Sequence, residues 1–485
     1  MPASAIALAA AAAMNTAIVT ADRAVLRAAP REAAPQQAQL WQGEVLEVRG
    51  ERLDYLQVWD PARERGGYVK ATQVRRSALT PAEAPGLLAV LRFLREAPGA
   101  ESLGIGIAAA YLQAAPAESV RGAEGAEALD ALGTLAERLA RRASEGTPAG
   151  QQSQLALSAH LEVAARYGVK FASYEQDGRM RICYDGDAFR RVLALPATPP
   201  QQARAALALT QPECMDPALQ PLQRHQLSAW RAEVLERVDT AGLPAHVRHR
   251  VALRRAAVWS TLAYEHARLG DGESSAAAER ALGELASVHK GELSEEDQAA
   301  YNDAAIRVNA SRWAAVPATA AAPAATRPTI VTQAGQPGET CVLLVDARHD
   351  AAHPLAKRCT YALVWPQSAS VNREGTAVAL AVQPMEAWRE LWLFRLQVRQ
   401  WTIDVLPPAS LQPGSGYAEF AGWVPGGQQV LVAREARAEG RYRRSYEVVS
   451  VASLATQRQA GEPGALGPFQ RWQDAAWKRS SVALR

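Results

Sequence analysis

The residues with most capacity for chemistry are few. The four cysteines, Cys183, Cys214, Cys341 and Cys359, fall as two close pairs. An even count in an exported chain suggests disulfides, against four free buried thiols in a cytosolic one, and the lack of any CxxC spacing excludes a zinc ribbon or a thioredoxin-type motif. Of the three connectivities, 183–214 and 341–359 are preferred because each closes a short local loop. His246 and His249 stand at i, i+3 in HVRHR, a helical spacing that can present two ligands to one metal. No carboxylate lies beside them and Arg248 and Arg250 flank them, so a solvated helix face is the preferred reading. Asp346, His349, Asp350 and His353 follow the apolar run CVLLVDA and form a donor set suited to Zn or Mn. Lying inside the Cys341–Cys359 loop, they read as a polar surface loop. No metal and no cofactor is expected. Asp185-Gly186-Asp187 lacks the remaining ligands of a calcium loop and reads as a turn. The absence of GxSxG, GxxxxGK[ST] and HExxH removes the commonest hydrolase, nucleotide and metalloprotease routes. Cys214 in PECMDP is the only candidate thiol nucleophile, and its acidic neighbours oppose thiolate formation.

A second group could bind rather than react. Trp41, Tyr55, Trp59 and Tyr68 gather within residues 15–78, with Arg63 and Arg65 in an adjacent loop where they can meet a carboxylate. The elements that position them are short β-rich runs: TAIVT, RAVLRAAP, GEVLEVRGE, DYLQVWD and GGYVKATQV. In DYLQVWD, Leu56 and Val58 point one way while Tyr55, Gln57 and Trp59 point the other. Gly50, Asp60-Pro61 and Gly66-Gly67 punctuate the runs, and five short strands imply a small barrel. Val25-Leu26-Arg27 with Pro30, Gly43 to Val48, Tyr55 with Val58, and Gly67-Tyr68-Val69 resemble, in order, the elements of bacterial SH3 (SH3b) domains. The match covers about an eighth of the chain, and Tyr55 and Tyr68 stand where that family often has Trp. The resemblance implies an SH3-like barrel that binds cell-wall peptide or protein ligands, with any catalysis in a neighbouring domain.

Residues 79–315 read as a helical domain. Helical spacing runs from Leu87 to Leu94 and recurs at 151–167, 200–210, 219–239, 245–268, 273–290 and 294–313. One β-hairpin interrupts it, VKFASYE and RMRICYD around Asp177-Gly178. Trp259 to Ala281 faintly resembles one tetratricopeptide-type helix pair, without the further copies that a solenoid needs. Ala300-Tyr301-Asn302 resembles a motif of lytic transglycosylases, but Ala304 stands where that family has Gly, and its catalytic Glu-Ser run is missing. Asn302 and Asn309 read instead as two residues of one helix face.

Residues 316–339 form an Ala/Pro linker. Residues 340–485 switch to strands, ending in AAWKRSSVALR. An internal echo pairs Trp365, Gly375, VALAV and ELWLFRL with Trp423, Gly427, VLVAR and YEVVSV, and Trp472 and Trp477 open a truncated third copy. The segment from Gly422 to Ala433 resembles the signature of WD40-like, TolB-type propeller repeats, with Val424 and Gly426 replacing its Ser and Asp. The resemblance implies two to three propeller-like blades, too few to close a ring, whose strand edges can support oligomerisation. The fold class is therefore multidomain α+β: a small SH3-like barrel, a mainly helical domain with one hairpin, and an all-β antiparallel domain.

The remaining bounds are compositional. The chain has 485 residues, 48% apolar and 21% charged, which fits a globular protein. Net charge is +3 with no basic stripe, so nucleic acid is not expected as a partner. Only five of the 53 cationic residues are lysine, and arginine makes the better bidentate ion pairs. No apolar run is long enough for a transmembrane anchor. Residues 1–14 resemble a signal peptide without a basic n-region, and together with the even cysteine count they point to export to the periplasm or cell envelope. The leading expectation is a non-catalytic envelope protein that binds a wall peptide or protein partner. The alternatives are a peptidoglycan hydrolase whose carrier is Glu118, Glu265 or Cys214, and a cytosolic scaffold with free thiols.

Overall fold

Apolar and polar residues alternate through 16–77 at the two-residue period of a strand, and in the computed structural model these residues build one antiparallel sheet. The structure describes residues 15–145, 151–176, 178–317, 327–409, 414–438 and 440–480, so the signal-peptide-like segment 1–14 lies outside the described residues. The chain divides into two compact units, Met1–Leu219 and Gln220–Arg485. The helical stretch 79–315 contributes to both.

In the first unit, β1 (Thr16–Val19), β2 (Ala24–Arg27), β3 (Gln36–Leu40), β4 (Val45–Arg52), β5 (Tyr55–Asp60), β6 (Arg65–Lys70) and β7 (Val74–Ser77) pair in the order β3-β2-β6-β5-β4-β1-β7. The five expected strands omit β3 and the separate β7. Both are edge strands, and QQAQL of β3 is polar and mostly exposed, so it carries no apolar alternation. Leu26, Leu40, Leu46, Leu56, Val58 and Val69 fill the sheet's inner face.

The helices α1 (Ala84–Glu96), α2 (Glu101–Ala114), α3 (Ala117–Arg121), α4 (Ala123–Ser144) and α5 (Gln151–Arg166) follow, and Ile18 of β1 enters the core that α1, α2 and α4 share. Eleven of the 14 residues of α2 are buried, so no single apolar stripe marks it, and the helical periodicity of the sequence passes over it. Glycine lets α2 approach its neighbours. A Cβ on Gly104 would stand 2.6 Å from Leu135 Cδ1, and one on Gly43 would stand 2.4 Å from the Ser102 carbonyl oxygen. The hairpin β8 (Phe171–Gln176) and β9 (Arg179–Tyr184) precedes α6 (Asp187–Leu193) and α7 (Pro199–Leu209). Cys183 on β9 is joined to Cys214 with an S–S distance of 2.06 Å.

In the second unit, α8 (Pro221–Glu236), α9 (Ala245–Leu269), α10 (Ser274–Ala286) and α11 (Glu295–Ser311) enclose Leu253, Ala256, Leu285, Tyr301 and Val308. Three antiparallel sheets then stack face to face. The first is β10 (Thr329–Ala334), β11 (Thr340–Val345) and β12 (Ala356–Thr360), with Cys341 and Cys359 bonded across β11 and β12. Strand β10 corrects the expected linker 316–339, whose residues 329–334 pair with β11, while residues 318–326 lie outside the described residues. The second is β13 (Leu363–Val371), β14 (Ala377–Met385), β15 (Trp388–Gln397) and β16 (Gln400–Leu406). The third is β17 (Ser415–Val424), β18 (Gln429–Ala438), β19 (Arg441–Ser450) and β20 (Thr456–Ala460). A short parallel contact of β15 with β17 joins the last two.

The second and third sheets repeat. The β13–β14 turn places Gly375 at φ 69°, and the β17–β18 turn places Gly427 at φ 68°, so the two glycines of the sequence echo do the same work. The middle sheet is buried on both faces. Val378, Leu380 and Phe394 meet the first sheet, whereas Ala377, Ala379 and Leu393 meet the third. That is why VALAV reads as a continuous apolar run. The outer face of the third sheet is covered by α12 (Gly467–Trp472) and α13 (Ala475–Ser480), through Phe469 and Trp477 against Tyr446. This corrects the expected terminal strand: residues 475–480 are helical, and Trp477 caps the stack rather than opening a third copy. No helix among the described residues is long and apolar enough to cross a membrane.

Candidate functional site

Strand alternation and register place the aromatic candidates of the first unit. Leu56 and Val58 enter the core, so Tyr55, Gln57 and Trp59 take the opposite face of β5. Gln57 lies across from Tyr68, Trp59 from Gly66 and Tyr55 from Lys70. Tyr55, Trp59 and Tyr68 therefore share one face. Their exposure differs. Tyr55 is only 2% exposed, and its hydroxyl has no hydrogen-bond partner among the described residues. Trp59 is half-buried beneath the Arg49 guanidinium, 4.5 Å from the ring centroid, and Tyr68 is half-buried beside exposed Gln57.

Trp41 lies elsewhere. Its ring meets His160 of α5 edge-on at 6.2 Å, and His160 Nε2 is 2.9 Å from Asp22. Arg63 serves its own loop. It donates to both Glu44 oxygens at 2.9 Å and to Asp60 at 2.8 Å, and both carboxylates are buried. Hydrogen bonding to Glu44 outweighs burial and holds the guanidinium more firmly protonated than usual. Arg65 is exposed and ties β6 to β3 through the Gln37 carbonyl at 3.0 Å. The outward patch is thus Gln57, Trp59 and Tyr68, with Tyr55 sealed beside them; Arg65, across from Asp60, takes the other face of the sheet, and Trp41 and Arg63 make the separate contacts just described.

In the second unit, α8 and α9 assemble a polar cluster. His225 and Ser228 are one turn apart on α8 and both face Glu265 of α9. His225 Nδ1 is 3.2 Å from one carboxyl oxygen, and Ser228 donates to the other at 3.2 Å. The His225 ring meets His266 edge-on at 4.9 Å, and His266 Nδ1 is 2.7 Å from Asp271. Burial, then the charge of Glu386, pushes the Glu265 carboxyl above the usual range, and hydrogen bonds from His225 and Ser228 oppose this. Glu386 itself accepts from Thr261 at 2.5 Å and Arg307 at 2.8 Å. A carboxyl displaced toward neutrality beside an imidazole is a general acid or base in form. The sequence marks Glu265 as a candidate acid but gives no signal for His225 and Ser228, whose spacing is common on helices.

The other candidates separate. Cys214 is disulfide-bonded and cannot be a thiolate nucleophile. Glu118 is exposed on α3. Asp346 pairs with His349 at 2.8 Å, and Asp350 lies 3.7 Å from His353, as two local turn contacts. Asp185 accepts from the Asp187 amide at 3.0 Å, with Gly186 at φ 81°, which is a turn. His246 is exposed, but His249 is only 5% exposed, so the solvated face expected for both holds for His246 alone. The pair does not converge; His249 faces His289 and Glu292 instead. Asn302 is half-buried, and Asn309 is fully buried with its amide on the Ala305 carbonyl. Comparison with protein-family models, with curated proteins and with solved structures returned no match.

Proposed function

We propose that this chain is an exported, non-catalytic envelope protein whose N-terminal sheet is an SH3b-like barrel binding a cell-wall peptide or a protein partner. The observation that carries the reading is the patch of Gln57, Trp59 and Tyr68 on one sheet face. The stacked sheets of the second unit, read as propeller-like blades, add docking edges at their outermost strands and a route to oligomerisation. Paired cysteines at bonding distance support an oxidising compartment. The pairing of buried acids supports a structural role for them. Glu101 is held by Arg138 and Arg142, Asp130 by Arg95 and Arg204, and Glu419 by Arg312 and Arg389.

The test is co-sedimentation of the full chain with isolated peptidoglycan, beside a variant carrying Trp59→Ala and Tyr68→Ala. Pelleting that the variant loses supports wall binding by the barrel. No pelleting of the wild type refutes wall binding.

Glu265 is the observation that favours a second reading, a peptidoglycan hydrolase. Its partners are an imidazole and a hydroxyl rather than arginines. Release of soluble muropeptides by the wild type, abolished in Glu265→Gln, would establish that reading over the first.

A further inference from the structure

We propose that His249, His289 and Glu292 form a binding site for a divalent transition-metal ion, with Zn²⁺ the member of that class that fits the donor set. The site is built by the apolar core of the second unit. Val288 packs with Leu253 and Leu285, which brings the end of α10 against the first turns of α9. The chain then closes a tight turn, with the Glu292 amide donating to the His289 carbonyl at 3.0 Å. Residues 290–292 form a 3₁₀ turn, whose three-residue period stacks side chains at i and i+3, so His289 and Glu292 fall on one side. His249 enters from α9. The ligating atoms of all three lie within 4.8 Å of one another.

Two features distinguish this cluster from a chance contact. His249 is 5% exposed, yet its Nδ1 has no hydrogen-bond partner among the described residues. Its Nε2 stands 3.6 Å from Glu292 Oε2, beyond a good hydrogen bond. The short approach of this nearly buried Nε2 to a carboxylate oxygen, too long for a good hydrogen bond, is the observation that points to an ion between them; Nδ1 is on the other side of the ring and is not satisfied by that ion. Two ligands on a tetrahedral zinc, with bonds of about 2.0–2.2 Å, lie about 3.4 Å apart, close to the spacing found. The second feature is electrostatic. The arginines that argue against a cation in HVRHR are directed away: Arg250 to Asp297 at 2.6 Å and Glu296 at 3.3 Å, Arg248 to the Leu243 carbonyl. Lys290 is drawn over the Tyr301 ring at 4.9 Å.

His289 and Glu292 are exposed, so an ion reaches them from solvent and keeps an open position for water. Two imidazoles and one carboxylate suit Zn²⁺ and not the all-oxygen preference of Ca²⁺ or Mg²⁺. The bound ion would clamp the start of α9 to the segment after α10. A second three-donor group, Glu339 with Cys341 and Cys359, is no rival, because its sulfurs are joined to each other.

The test uses the untagged full chain, stripped with EDTA and titrated with ZnCl₂ against a chromophoric chelator. The expected result is one Zn²⁺ per chain, with affinity reduced at least about tenfold in His289→Ala and in Glu292→Gln and unchanged in His246→Ala. His289 and Glu292 are exposed, so both variants are expected to fold, and circular dichroism checks that they do. X-ray absorption of the loaded wild type should show two imidazole ligands. Absence of saturable zinc uptake, or equal affinity in wild type and His289→Ala, would overturn the proposal. Loss of binding in His246→Ala would do the same.

Discussion

Replacing Glu419 by glutamine should be among the most destabilising single changes in the second unit. The carboxylate is 3% exposed and is shared by two arginines. Arg312 donates to its two oxygens at 2.6 and 3.1 Å, and Arg389 donates to one of them. Arg312 is 4% exposed and Arg389 fully buried, with Arg389 Nε and Nη1 lacking partners among the described residues. Burial alone would push the Glu419 carboxyl up, but the two guanidiniums outweigh it and hold the group below the usual carboxylate range. Glu419→Gln leaves two buried cations facing a neutral amide. Removing one member of a buried ion pair costs about 3–5 kcal/mol. At a urea slope of roughly 3 kcal/mol/M that lowers the midpoint by about 1 M or more. Ten of the twelve tryptophans lie in 220–485, so tryptophan emission reports chiefly on this unit. The sign with pH follows from the depressed carboxyl. Its stabilisation is present above the unfolded-state value and is lost as pH falls through the folded-state value, so wild type and variant should converge in acid. Glu419→Leu combined with Arg312→Met and Arg389→Met removes the charges together and should recover most of the loss. A midpoint shift below about 0.3 M in Glu419→Gln, roughly 1 kcal/mol at that slope, would refute the argument, since the arginines would then be finding water.

Further outcomes follow from other contacts. Gly43 and Gly99 both adopt left-handed φ, 88° and 85°, but a Cβ at Gly43 meets the Ser102 backbone while one at Gly99 meets nothing within 4 Å. Gly99→Ala should cost about 1 kcal/mol and Gly43→Ala about 3 kcal/mol or more, read by thermal melting. Reducing the cysteine pairs, separated by 31 and 18 residues, should cost about 3–4 kcal/mol each by loop-closure entropy, read by urea titration with and without reductant. Glu265, with its raised carboxyl, contributes stability that is lost as pH climbs through that raised value. Glu265→Gln should therefore flatten the dependence of the melting midpoint on pH across that window.

What the sequence determined by itself is local. Alternation in DYLQVWD settled which face Leu56 and Val58 bury, because a strand has a fixed period of two. The Asp177-Gly178 signal located the hairpin around the turn, and the close spacing of the cysteines selected their partners, because short loops close cheaply in entropy. The echo of Gly375 and Gly427 exposed a repeated turn, because that turn requires a left-handed residue. The remainder needed tertiary structure. Helix α2 is buried on nearly every side, so it has no stripe to detect, and its place depends on glycines whose purpose is set by Leu135 and Ser102. The strand reading of residues 475–480 failed because the outer face of a sheet, absent from local sequence, recruits Trp477 into a helix. Tyr55 and Trp59 have the same alternation, yet one is sealed and the other half-open, since exposure depends on neighbouring strands. His225 with Glu265, and His249 with His289 and Glu292, come from separate elements. Their distances are fixed by how helices pack, and no spacing along the chain records that.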